Sequence, residues 1–263
     1  MSQVRLLNVD IDNLTMTEVL ERLTSGTVIT PNVDHLVKLQ TDREFYDAYR
    51  AADFRTCDSK ILYYVTKLLG CPVKEKISGS DLFPAFYKYH KHNEDIEIFL
   101  LGAKEGVAAE AQRRINGRIG RKIVTAVHSP SFGFEKSEEE CERIIELVNQ
   151  SKATVLAVGV GAPKQEKFIH KYKHRFKHVK IFMAIGATID FEAGNVMRAP
   201  KWVSEMGLEW LYRLLSEPRR LWRRYLVEGP VFFWLAFLQM LRLYKDPFDA
   251  DKPKASQATR ITA

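Results

Sequence analysis

Six short apolar runs rich in β-branched residues alternate with longer stretches of helical pattern, and this alternation constrains the fold more than any other feature. The runs fall at Thr27–Ile29, Phe54–Cys57, Ile96–Leu101, Lys122–Val127, Ala153–Val158 and Val179–Ile185. Helical patterns lie between them at Asn32–Leu39, Ser59–Leu69, Gly106–Ile119, Ser137–Asn149 and Lys164–His174. Strand followed by helix, several times over, predicts βαβ units and an α/β fold with a Rossmann-like, mostly parallel sheet flanked by helices. Right-handed crossovers bring every strand's carboxyl end to one edge, and ligands of such sheets bind there.

The residues that follow each run make that edge polar. Thr30-Pro31-Asn32 follows the first run, Asp58-Ser59-Lys60 the second, Gly102 to Gly106 the third and His128 to Phe134 the fourth. The fifth leads into Gly159-Val160-Gly161-Ala162-Pro163-Lys164-Gln165-Glu166, the sixth into Gly186-Ala187-Thr188-Ile189-Asp190. One broad polar cleft is expected. The glycines at 102, 159 and 186 suit close backbone approach to an anion at a helix start and equally suit an ordinary tight turn. Asp58 and Asp190 each admit two readings, a helix cap or a general base at the cleft edge.

Composition narrows the class. The chain has 263 residues, 46% apolar and 28% charged, close to globular averages, so disorder, collagen and coiled coil are poor readings. Three separated cysteines offer neither a disulfide framework nor a CxxC zinc site. The opening MSQVRLLNVDIDN has no signal-peptide core, so a cytoplasmic setting is expected. Asp10-Ile11-Asp12 has the DxD form of a metal site but precedes a helical segment, where turn and cap chemistry is expected. His170, His174 and His178 could share one helical face, read as solvated and basic rather than metal-binding. No metal and no cofactor are expected.

The pattern changes near Pro200, where helices separated at Glu217-Pro218 and Gly229-Pro230 replace the strands. Of the net charge of +7, this C-terminal stretch to Lys245 holds eight Lys and Arg against four Glu, which points to anionic partners. Its run Val231–Leu241 is about half the roughly 20 residues needed to span a bilayer. The expected layout is a catalytic core over 1–197, a helical membrane-associating appendage over 198–245 and a disordered tail over 246–263.

Several blocks together resemble the WecG/TagA/CpsF glycosyltransferases, glycosyltransferase family 26. They are TPNVDHL at 30–36, AADFRTCDSK at 51–60, KISGSDL at 76–82, GVGAPKQEKFI at 159–169, GATIDFEAG with RAPKW at 186–202, and GLEWLYRLLSEPRRLWRRYL at 207–226. The resemblance implies a Rossmann-like core with a C-terminal helical appendage (a GT-E-like fold). It also implies an inverting, metal-independent transfer of a sugar from a UDP-sugar to a polyprenyl-diphosphate-linked acceptor at the cytoplasmic membrane face. By the same resemblance Asp58 matches the catalytic base, Thr30, Asn32, Gln165 and Asp190 line the pocket, and Arg213, Arg220, Arg223 or Arg224 close over the substrate. Gly102, Gly159 and Gly186 are added as cleft residues. Lys76 stands where many members carry Arg and keeps the charge without the bidentate fork; Ser59 stands where many carry Gly. The expected partners are the donor, the lipid-linked acceptor and an anionic membrane surface, with a homo-oligomer left open and nucleic acid not expected. A nucleotide-binding regulator that docks on membranes and an RNA-binding α/β protein are the rival readings.

Overall fold

The structure, a computed structural model, describes residues 2–197, 199–200, 203, 206–216 and 218–249, without the side chains of Glu209, Arg213, Arg220 and Arg224. An antiparallel hairpin, β1 (Gln3–Leu6) and β2 (Val9–Asp12), precedes the main sheet. The sheet strands are β3 (Gly26–Ile29), β4 (Phe54–Arg55), β5 (Ile98–Gly102), β6 (Val124–His128), β7 (Val155–Gly159) and β8 (Ile181–Ala184). They pair in the order β4-β3-β8-β7-β5-β6, every pair parallel. The sheet is thus of the Rossmann-like α/β type the sequence predicts.

The central strands β5, β7 and β8 are buried along their whole length, because helices cover both faces of a parallel sheet. Successive side chains point to opposite faces. Phe99, Leu101, Leu156, Val158, Phe182 and Ala184 therefore join one core, and Ile98, Leu100, Val155, Ala157, Ile181 and Met183 the other. The first face is covered by α2 (Val33–Lys38), α3 (Arg43–Arg50), α4 (Lys60–Leu68), α7 (Glu138–Ser151) and α8 (Lys164–Tyr172). The second is covered by α1 (Met16–Arg22), α5 (Gly79–Tyr89), α6 (Val107–Ile119) and α9 (Thr188–Ala193). The chain leaves β3 and β7 toward the first face and β5 and β8 toward the second. Neighbouring strands thus send their connections opposite ways, which opens crevices along the carboxyl edge.

Three local expectations are corrected. Asp10-Ile11-Asp12 belongs to β2 rather than to a turn, and Asp12 accepts from the Arg55 backbone N–H at 2.7 Å and the Gln3 amide at 2.8 Å. Both bonds are structural. The helix carrying His170 ends at Tyr172, so His174 and His178 do not share its face. Asp246 to Asp249 are packed rather than loose: Asp246 pairs with Arg5 at 3.1 Å and Phe248 lies against Tyr46, ring centroids 4.8 Å apart.

Beyond the core run the helices Glu209–Ser216 and Pro218–Trp222, a π-helical segment Arg223–Glu228 and the helix Gly229–Met240. Pro218 and Pro230 stand in first turns, where a missing N–H costs nothing. The last helix is apolar but for Gln239 and packs beside α2, with Phe232 fully buried and Ala236 nearly so. Its Gln239 amide donates to the Arg5 carbonyl at 3.1 Å and accepts from the Leu7 N–H at 2.7 Å. Among the described residues no helix is long and apolar enough to cross a membrane.

Candidate active site

Asp58 lies in the loop between β4 and α4, and its neighbour decides between the two readings of this residue. Ser59, not Asp58, caps α4, its Oγ accepting from the Ile61 N–H at 3.1 Å. Capping therefore does not account for Asp58. The loop is pinned on both sides, by the Asp58 N–H on the Pro31 carbonyl at 2.9 Å and the Ile77 N–H on the Cys57 carbonyl at 2.7 Å. Thr30 Oγ1 reaches Asp58 Oδ2 at 3.4 Å. Burial pushes the neighbouring Cys57 thiol up to about 12, which keeps it protonated and unreactive.

Two cavities meet at this carboxylate. A polar cleft of about 560 Å³ over β3, β8 and β7 is lined by Thr30, Asn32, Gln165, Gly186 and Arg223 with Asp58. An apolar pocket of about 340 Å³ opens on the other side, walled by Ile61, Trp210, Tyr225 and Phe233, with Lys60 and Lys76 beside Asp58. Lys76 pairs with Asp81 at 2.9 Å and is largely buried. Of the sequence-derived residues, Thr30, Asn32, Asp58, Gln165, Gly186 and Arg223 thus converge on one cleft. Asn32 also spends its Oδ1 on the His35 N–H at 3.1 Å, capping α2.

Asp190 and Gly159 line a neighbouring cleft of about 800 Å³ over β7, β5 and β6, separated from the first by the start of α9. At its lip the exposed Phe132 ring lies 4.4 Å beneath the Lys164 ammonium. Gly102 lines none of these cavities. A Cβ there would strike the Gly159 carbonyl, and one on Gly159 would come within 2.7 Å of the Gly186 carbonyl. Close approach of the strand ends explains both glycines. The side chains of Arg213, Arg220 and Arg224 lie outside the described residues.

Sequence reasoning missed further polar residues at the cleft, Asp34, His35 and Glu228 in its lining and Tyr49 and Glu166 behind them. Gln165 and Glu166 are both almost fully buried, and the Gln165 Nε2 donates to Glu166 Oε1 at 2.8 Å while its Oε1 accepts from the Gly186 N–H at 3.1 Å. His35 Nδ1 and the Tyr49 hydroxyl are 2.6 Å apart. Burial, with the Glu166, Asp58 and Asp34 carboxylates nearby, raises the Tyr49 hydroxyl well above the usual phenol range. Burial lifts Glu166 from 4.5 to about 7. On the appendage side Glu228 is raised by burial and by a hydrogen bond to Asp34, which in turn pairs with Lys38 at 2.9 Å. His35, Asp34 and Glu166 all stand inside the blocks TPNVDHL and GVGAPKQEKFI. The signal was present, but nothing in a linear pattern says which neighbour turns inward.

Among the described residues no group of three or more His, Cys, Asp or Glu side chains is arranged to hold a metal ion. The cleft offers the cations Lys38 and Arg223, the carboxylates Asp34, Asp58 and Glu228, and backbone N–H groups. Asp34 and Asp58 both line the junction with the apolar pocket, but Asp34 is paired with Lys38. This arrangement is suited to holding an anionic leaving group while a hydroxyl is deprotonated at Asp58. The family model for the glycosyl transferase WecG/TagA/CpsF family matches residues 4–246, nearly the whole described chain. A fold with its polar crevices at the carboxyl edge, and a match over that length, make this chain a member of the WecG/TagA/CpsF glycosyltransferase family.

Proposed function

We propose that this transferase moves a sugar from a UDP-sugar to a polyprenyl-diphosphate-linked acceptor at the cytoplasmic face of the membrane, in envelope polysaccharide or teichoic-acid assembly. One observation carries the reading: Asp58 stands where a polar cleft and an apolar pocket meet. A nucleotide sugar is polar throughout, whereas a lipid-linked acceptor carries a polar head on an apolar chain. Two such substrates need two unlike compartments with the reacting atoms at their junction. The donor occupies the polar cleft and reaches toward the neighbouring one that Asp190 and Gly159 line, and the first isoprene units lie against Ile61, Trp210 and Phe233.

In this scheme the acceptor hydroxyl attacks the anomeric carbon from the face opposite UDP, and the product is inverted. Asp58 takes the hydroxyl proton, and the bond to UDP breaks with its electron pair leaving on the diphosphate. Lys38 and Arg223, with Arg213, Arg220 and Arg224 brought over the cleft, balance that charge in place of a divalent cation. Membrane attachment through the appendage is peripheral, and a homo-oligomer is compatible with the scheme.

The test is a transfer assay with a panel of UDP-sugars and a short-chain polyprenyl-diphosphate sugar, run with and without EDTA. Turnover with one donor that survives EDTA is the expected result. Asp58→Asn should lower turnover about 10²-fold or more while UDP binding persists. A folded Asp58→Asn protein with near-normal turnover would remove Asp58 from the chemistry, and loss in EDTA restored by Mg²⁺ would overturn metal independence.

A further inference from the structure

Gln165 has its orientation forced by what lies at each end. The Gly186 N–H can only donate, so the amide oxygen must face it; the Glu166 carboxylate accepts, so the amide nitrogen must face that side. Turning the amide over would set Nε2 against the Gly186 N–H, donor against donor. The oxygen of Gln165 is thereby engaged by the backbone and one of its two N–H hydrogens by Glu166. One N–H remains for whatever enters the cleft that Gln165 lines.

Glu166 itself is an expensive residue to keep. It is 2% exposed, and its Oε2 is buried with no hydrogen-bond partner among the described residues. A buried carboxylate left half-satisfied lowers stability, and an apolar or amide residue of similar size would avoid that cost. An unsatisfied buried group in a native protein calls for an explanation, and here the group it does bond is a cleft residue.

We infer that Glu166 is a positioning residue for the transfer: it touches no substrate, and it clamps the Gln165 amide so that the cleft presents an N–H donor to an oxygen of the sugar donor. The inference rests on the transferase reading above and deepens it. Its chemical content is polarity. With the clamp in place position 165 can recognise an acceptor oxygen, such as one on a diphosphate or a sugar ring, and offers no acceptor of its own. The clamp is strongest with Glu166 ionised, because a carboxylate accepts a stronger hydrogen bond than a neutral acid. Lys38 favours that ionised form and Asp34 opposes it, both from α2, while the Tyr49 hydroxyl from α3 also lies within electrostatic reach. The proton leaves near pH 7, where burial has placed it, so the amide is held more firmly on the alkaline side.

Two measurements on the full chain test this. In the first, the side-chain amide resonances of Gln165, assigned by their loss in Gln165→Glu, are followed by NMR against pH without substrate. They should shift with a midpoint near 7 in the wild type and stay still in Glu166→Gln. In the second, transfer is compared across Glu166→Gln and the exchange Gln165→Glu/Glu166→Gln. Glu166→Gln can still accept from Gln165, so it should keep activity within about 10-fold and lose the acid limb of kcat/KM. The exchange restores a buried amide–carboxylate pair and the bond to Gly186 but leaves no donor facing the cleft. It should fold with a Tm close to wild type and lose about 10²-fold in turnover, the size of losing one hydrogen bond to developing charge. A merely structural pair predicts that the exchange recovers activity along with stability, and that result overturns the inference. If the exchange does not fold, a pH profile unchanged by Glu166→Gln overturns it. The NMR titration needs no donor, so a normal titration beside absent turnover supports the clamp and refutes the UDP-sugar assignment.

Discussion

Glu166 also makes a prediction about stability that needs no knowledge of the substrate. Its carboxyl is raised from 4.5 to about 7 because burial penalises the charged form. Below 4.5 it is protonated in both folded and unfolded chains. Between 4.5 and 7 the unfolded chain gives up this proton and the folded one keeps it, so stability falls as pH rises, and above 7 the loss is complete. The total is about 3 kcal/mol by proton linkage. Glu166→Gln removes this titration, so its stability relative to wild type should improve by about that amount from about pH 4 to about pH 8 in denaturant melts. A constant difference across that range would show that burial does not shift the Glu166 carboxyl from its unfolded value. Asp58 was legible from its place after an apolar run, and its neighbour Ser59 settled that it is not a cap. Glu166 was not legible as distinct from Gln165, because adjacency in sequence says nothing about which of the two lines the cleft and which lies beneath it.

At the scale of elements, the six sheet strands were legible because strands buried on both faces read as unbroken apolar runs. The hairpin β1–β2 was missed since its sequence carries Arg5, Asp10 and Asp12; Arg5 pairs with Asp10 across the hairpin, but its other partner Asp246 and the Arg55 N–H that Asp12 accepts are distant in the chain. Helix α5 was missed because it begins at Gly79 and contains Pro84, two residues that argue against a helix until tertiary packing overrides them. The helix Gly229–Met240 was legible as a helix but not in its orientation. It has no polar stripe, so no sequence period says that Phe232 and Ala236 turn inward while Trp234, Phe237 and Met240 turn out. Those outward side chains, with Leu241 and Leu243 after them, form an apolar strip suited to lying in a lipid interface. The triple substitution Trp234→Ser/Phe237→Ser/Met240→Ser should therefore abolish flotation with anionic liposomes and leave the melting temperature unchanged. Flotation of the wild type should weaken as salt rises, through the basic residues of 219–224. Retained binding by the triple variant would place the membrane contact elsewhere, and a wild type that never floats would end the membrane reading.

Over the whole molecule, the division into a core and an appendage does not follow the packing. The helix Gly229–Met240 fills a gap beside α2, the Tyr244 hydroxyl donates to the Gln40 side chain at 2.7 Å, and Phe248 covers Tyr46. Phe232→Ala should accordingly cost about 3 to 5 kcal/mol, as for a buried aromatic in any core, and lower the thermal midpoint with it. A cost under about 1 kcal/mol would mean that the helix is loosely attached. A cut after Met197 removes that packing together with the exposed apolar strip, which makes the point substitutions the cleaner probe of membrane binding. The bond from Leu7 to Gln239 has a further consequence for the order in which this molecule matures on the ribosome. The Leu7 N–H, in the turn between β1 and β2, finds the side chain that satisfies it only after more than two hundred further residues have been made, since the partners stand 232 positions apart. Contacts of such separation form late, so the turn N–H waits for its partner although β1 and β2 pair locally. The strip that would meet lipid is carried by the same helix that completes the hairpin. On the membrane reading proposed above, a chain still being synthesised would complete its apolar strip in the same step that closes its core.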